Sequence, residues 1–195
     1  PVPTVTPTAK PMATPAHGAC EDAEEYGEFA PILGGPKKPS SARRLREEMA
    51  RQDIALLEAT EEAAPSEGKQ GGWTEFGELD AKGHSLNAGL AKQIAGEVET
   101  LADRVAGLLG GGWMRVRVVT DHGWLLLPGG LPKVELPSYL AETKWSRCAV
   151  VQGAVPPGMP VFPWHWNPQV QVVSPPGIGV FFAGNDYAHG GVSPQ

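Results

Sequence analysis

A chain of 195 residues with a formal net charge of -6 is long enough for one domain with a real core, and too acidic for a surface that coats nucleic acid, which leaves direct nucleic-acid binding open only through a local basic pocket. Its two cysteines, Cys20 and Cys148, make no disulfide framework and read as reduced thiols. No apolar run approaches the roughly 20 residues that span a bilayer, and no signal peptide is visible, so the sequence reads as cytoplasmic with no membrane partner.

The chain opens on Pro1 rather than Met and closes within a motif, so it reads as part of a larger protein, with an upstream piece of any active site ahead of Pro1. Residues 1–40 are rich in Pro, Thr, Gly and Ala, and Pro3, Pro7, Pro11 and Pro15 exclude a long regular helix. Pro3-Thr4-Val5-Thr6-Pro7-Thr8 places three hydroxyls in a proline-stiffened segment, and an activated hydroxyl can attack phosphorus. The residues alone do not rank Thr4, Thr6 and Thr8, and a plain Thr/Pro linker has the same composition.

Ser40 or Ser41 is placed to cap a helix over Ala42–Gln52, with Leu45 and Met49 on one face. Asp53–Glu58 contains a short apolar run suited to a buried strand, and Glu61–Gly72 reads as an exposed loop. Asp80 and His84 follow in Asp-Ala-Lys-Gly-His. There Gly83 permits a sharp bend that aims both side chains at one centre. A loop ahead of a helix would also set His84 near that helix's N-terminus, where the neutral, ligating imidazole is favoured. An Asx-turn is the plain alternative.

Leu90, Ile94, Val98, Leu101, Val105 and Leu108 form one apolar stripe at helical period, with Ser85 as N-cap and Gly110-Gly111-Gly112 as the stop. The β-branched run Met114–Thr120 then predicts a strand ending on Asp121-His122-Gly123, half of a parallel α/β unit. Such sheets place their chemistry at the carboxyl ends of strands. A carboxylate beside an imidazole suits Zn²⁺ or Mn²⁺, although Asp and His are also ordinary turn residues.

Trp124–Leu127, Ser146–Val151, Val170–Val173 and Gly179–Ala183 read as further short strands, and Pro128–Pro132 as a turn-rich loop. His165, between Trp164 and Trp166, reads as a stacked structural residue, and His17 as a loop residue. His189 lies in Tyr-Ala-His-Gly-Gly and alone would be a solvated loop histidine. Together, the three islands around Asp80 and His84, Asp121 and His122, and His189 are what a two-metal hydrolase of phosphoryl or related esters needs.

The stretch R-V-V-T-D-H-G-W-L-L-L-P-G-G-L-P-K-V-E-L-P at Arg117–Pro137 resembles the PglZ family of BREX phage-defence systems, type B kind, within the alkaline phosphatase superfamily. Trp73–His84, Ser174–Gly179 and Tyr187–Ser193 are similar to that family too. Pro3–Pro11 matches in part, and residues 16–70 carry little of the resemblance. The resemblance implies an α/β fold with a mostly parallel sheet flanked by helices and an alkaline-phosphatase-like core. Along the chain it implies a nucleophile-loop segment (1–15), a variable segment with one helix and a short strand (16–72), and a metal-binding core (73–195), all in one domain.

It further implies two divalent ions, Zn²⁺ with Mn²⁺ as an alternative. Asp80, His84 and His189 would hold one, and Asp121 and His122 the other. Pro-Thr-Val-Thr resembles the nucleophile loop of the phosphodiesterase branch, which selects Thr6, whose hydroxyl the ions would help to ionise. The superfamily's first aspartate has no counterpart ahead of Thr6. Lys133 is a candidate contact for substrate phosphate, against the plainer reading of a surface lysine. The implied function is hydrolysis of phosphate esters, by a phosphodiesterase or phosphatase, beside a DNA methyltransferase and other BREX components. The alternative is a catalytically silent metal-binding scaffold that docks those partners.

Overall fold

In the computed structural model, which describes residues 5–22, 29–35, 37–61, 64–136, 145–151, 153–155, 157–181 and 187–188, the elements are short and the sheets small. Helix α1 (Thr6–Ala13) and a 3-10 turn lead to β1 (Cys20–Glu21), β2 (Ile32–Leu33) and β3 (Lys38–Pro39). Then come α2 (Ala42–Arg51), β4 (Ile54–Leu56), β5 (Gly71–Trp73), α3 (Leu79–Leu86), a second 3-10 turn (Asn87–Lys92) and α4 (Ile94–Gly110). The rest comprises β6 (Leu125–Leu126), β7 (Ala149–Val150), β8 (Val161–Trp164), β9 (Asn167–Val173) and β10 (Tyr187–Ala188). The chain divides into two units, Pro1–Ser41 with Val119–Gln195, and Ala42–Val118.

The first unit is built on the antiparallel sheet β7-β9-β8. Successive strand residues point to opposite faces, and β9 buries both. Val170 and Val172 join Val5, Phe29, Cys148 and Trp164 in one cluster, while Val173 joins Ala149 and Phe181 in another. Pro163 is exposed on β8, an edge strand, where the missing N–H removes no ladder bond that the fold needs.

Helix α1 forms despite its prolines because Pro7 sits in the first turn, where a helical N–H has no partner anyway. Pro11 lies deeper, and the helix ends within a turn, at Thr14 in extended conformation with its hydroxyl 2.9 Å from the Pro11 carbonyl. Arg147 is buried and donates to the carbonyls of Gly177 (2.9 Å) and Gly179, which ties down the Ser174–Gly179 loop.

The second unit holds the parallel pair β4–β5. Helix α2 runs as its apolar spacing predicts, with Leu45 and Met49 both buried. Helix α4 ends where the glycines stop it. Gly112 takes φ +104, Trp113 N–H bonds to the Leu108 carbonyl and Gly112 N–H to that of Leu109, a Schellman arrangement that satisfies the orphan carbonyls. Gly72 is equally specific, because a Cβ there would stand 2.6 Å from the Trp113 ring.

Several expectations are corrected. The described residues form a mixed α/β structure whose sheets are mostly antiparallel, with β4–β5 and the bridge between Lys133 and Val180 as its parallel pairings; a mostly parallel sheet is not seen among them. Met114–Thr120 forms no strand: Met114 is 99% exposed and Val118 53%. A β-branched run favours a pleated surface only when a neighbouring strand supplies one. Asp121-His122 therefore does not end a strand; it lies just ahead of β6.

Ser85 is inside α3 rather than capping α4, and the stretch around Leu90 is 3-10. The upper part of the α4 stripe is uncovered, with Ile94 41% and Val98 55% exposed. Asp53–Glu58 yields only β4, half-buried to exposed rather than interior. Of Gly179–Ala183, Val180 makes an isolated bridge, and 182–183 lie outside the described residues.

Candidate functional site

Thr6 is the first residue of α1 and is partly exposed. Val5, just before it, is fully buried, and its carbonyl accepts from the N–H groups of Thr8 and Ala9, both at 2.9 Å. The hydroxyl-bearing Thr6 is thus presented at a helix start whose base is fixed in the core. Thr8 is buried, its hydroxyl spent on Phe29 and Trp164, and Thr4 lies outside the described residues.

Asp80 and His84 meet by a route other than the expected bend. Both are in α3, where a spacing of four puts side chains on one face, one turn apart. Asp80 Oδ2 and His84 Nε2 are 3.7 Å apart, and both side chains are about half exposed. His84 falls in the last turn of this helix rather than near an N-terminus. Gly83 is buried inside α3. Lys82 bonds to Glu97 of α4 and lies 3.6 Å from Glu78, so an ion pair ties α3 to α4. These carboxylates raise the Lys82 pKa, the Glu97 hydrogen bond most of all.

Asp121 Oδ1 lies 3.9 Å from His122 Nε2, and the His122 side chain is only 6% exposed. Its Nδ1 is 3.3 Å from the Gly123 carbonyl and its ring packs against Trp124, contacts that fix the imidazole plane. The chain then enters β6, which pairs antiparallel with β10 in the register Leu125 to Ala188 and Leu126 to Tyr187. Leu131, Val180 and Ala188, with Leu125 and Leu127, form the small core beneath this ladder. Two islands far apart in sequence are thereby joined: β6 begins directly after Asp121-His122-Gly123-Trp124, and β10 ends on Ala188. His189 itself lies outside the described residues.

An oxygen and an imidazole nitrogen on one tetrahedral Zn²⁺, each at about 2.0–2.2 Å, stand about 3.4 Å apart. The two pairs, at 3.7 and 3.9 Å, are somewhat wider than that. Among the described residues no three His, Cys, Asp or Glu side chains come together as a metal shell.

Lys133 is exposed and paired with Glu135 at 2.9 Å, while its backbone bridges Val180. His165 is exposed and meets Trp166 edge-on at 5.1 Å, so it is neither stacked nor buried as a structural histidine would be. Reading the sequence missed the supporting roles of Lys82, Arg147 and Thr8. Each depends on a partner remote in the chain, and no local pattern announces it.

No helix among the described residues is long and apolar enough to cross a membrane. Comparison of the chain with protein-family models, with curated proteins and with solved structures gives no match.

Proposed function

We propose that this chain is a metal-dependent hydrolase of phosphate esters, a phosphodiesterase or phosphatase of the alkaline phosphatase superfamily, PglZ-like and built on that superfamily's core. In this reading it works in the cytoplasm within a phage-defence system, beside a DNA methyltransferase and other components. The observation that carries the reading is the β6–β10 ladder, which joins the Asp-His-Gly island to the strand that ends just before His189. The Asp80–His84 pair on one helical face and the position of Thr6 at a helix start add to it.

Asp80, His84 and His189 would hold one ion, and Asp121 and His122 the other. Two bound divalent ions neutralise phosphate charge and favour ionisation of an alcohol. The chain's own residues do the rest. Thr6 Oγ bonds to phosphorus as the ester oxygen leaves with its electron pair and takes up a proton. Water then displaces Thr6 from phosphorus, which restores the hydroxyl and releases the phosphate product. Burial of Val5 holds Thr6 in place for the attack, and the Gly123 carbonyl and Trp124 hold the His122 ring.

The test is hydrolysis of bis(p-nitrophenyl) phosphate with added Zn²⁺ or Mn²⁺, comparing the parent chain with Thr6→Ala. The parent turns over, and the variant loses at least about 100-fold in kcat. Equal rates remove Thr6 from the reaction. No turnover by the parent on several monoesters and diesters favours the silent scaffold.

A further inference from the structure

We infer that Thr8 is a positioning residue for the Thr6 hydroxyl, acting through its buried hydrogen bonds to Phe29 and Trp164; the inference rests on the role proposed for Thr6. Thr8 is 3% exposed. Its Oγ1 donates to the Phe29 carbonyl and accepts from the Trp164 indole Nε1–H at 3.0 Å, so the hydroxyl is spent in both directions.

Thr6 and Pro7 are held between two anchors. Val5 is buried in the cluster that contains Phe29 and Trp164, and Thr8 is bonded to the same two residues. Pro7 confines the backbone between them to φ near -65°. Apolar packing at Val5 resists withdrawal from the core but is non-directional. The indole–hydroxyl–carbonyl chain is directional, and it sets the rotation of the first turn of α1 about its axis. That rotation decides where the Thr6 oxygen points. A misplacement of about 1 Å costs on the order of 100-fold in an in-line attack.

A purely structural Thr8 would change stability and leave the kcat of folded molecules alone, so the two roles separate. Thr8→Val keeps the shape and deletes both bonds, Thr8→Ser keeps the hydroxyl, and Thr6→Ala is the control on the nucleophile. Each is assayed on bis(p-nitrophenyl) phosphate with Zn²⁺, at a temperature where near-ultraviolet circular dichroism shows it folded. The Trp164 indole N–H resonance, assigned with Trp164→Phe, is followed by NMR as a readout independent of turnover.

Thr8→Val is expected to lower kcat at least about 10-fold while KM stays within about twofold, and to shift the indole resonance. Thr8→Ser is expected to restore both. A folded Thr8→Val with parental kcat overturns the inference. If Thr8→Val does not fold, Trp164→Phe, which removes the indole donor along with part of the buried ring, takes its place: a folded Trp164→Phe with parental kcat overturns the inference. Thr6→Ala at parental kcat, or a parent without turnover, overturns the nucleophile and Thr8 together. An inactive Thr6→Ala beside a fully active Thr8→Val overturns Thr8 alone.

Discussion

Ala188 stands opposite Leu125 in the antiparallel ladder of β6 and β10. Ala188 is 2% exposed and shares a small apolar core with Leu131 and Val180. The pairing matters because β6 begins just after the Asp121-His122 pair and β10 ends on the residue before His189. Whatever holds this ladder in register also holds Tyr187-Ala188 beside the strand that follows Asp121-His122.

Leu131 is the largest buried side chain of that core, so Leu131→Ala removes most of its packing. Truncating a buried leucine costs about 2–5 kcal/mol. Urea unfolding of parent and variant measures the loss. A change within the range of an ordinary surface substitution, about 0.5 kcal/mol, would show that the ladder does not depend on this core.

Gly112→Ala tests the end of α4. The glycine has φ +104, while an added Cβ would meet only Pro65 Cδ at 3.6 Å, an ordinary contact. The cost is therefore backbone strain, at least about 1 kcal/mol. Thermal unfolding should show it as a lowered Tm, and an unchanged Tm would contradict the strain.

Burial pushes the Cys148 thiol up to about 12, from 9.0. The folded state thus keeps a proton that the unfolded chain releases. The stability this contributes is full below pH 9.0, falls as pH rises through the window, and is gone once the folded thiol ionises at about 12. The difference in unfolding free energy between the parent and Cys148→Ala should therefore shrink across that window. A difference that stays flat would contradict the burial.

Periodicity made α2 legible: Leu45 and Met49 lie one turn apart and both are buried. The end of α4 was legible as well, since consecutive glycines leave a helix no way to continue. Asp80 and His84 were found as a pair, but a spacing of four fits a bend or a helix equally well. Gly83 argued for the bend, as glycine costs a helix about 1 kcal/mol relative to alanine. The Lys82–Glu97 bond between α3 and α4 favours the helix and is invisible to local reading. Met114–Thr120 failed as a strand for a related reason: strand propensity counts residues, whereas a strand needs a neighbour. The role of Thr8 was out of reach because its partner Trp164 lies at the other end of the chain.

The central claim is that separated islands close around shared divalent ions, and metal content after exhaustive dialysis tests it most directly. The parent should retain Zn²⁺, the ion on Asp121 and His122 the more weakly of the two, because the superfamily's first aspartate has no counterpart ahead of Thr6. Asp121→Asn should lose about one, and His84→Ala and His189→Ala should each lose about one as well, because each ion has only a few protein ligands. The double variant His84→Ala, His189→Ala should lose no more than either single variant, since both histidines serve the same ion. A parent that retains no metal, or a double variant that loses both ions while Asp121 and His122 are intact, would contradict the account.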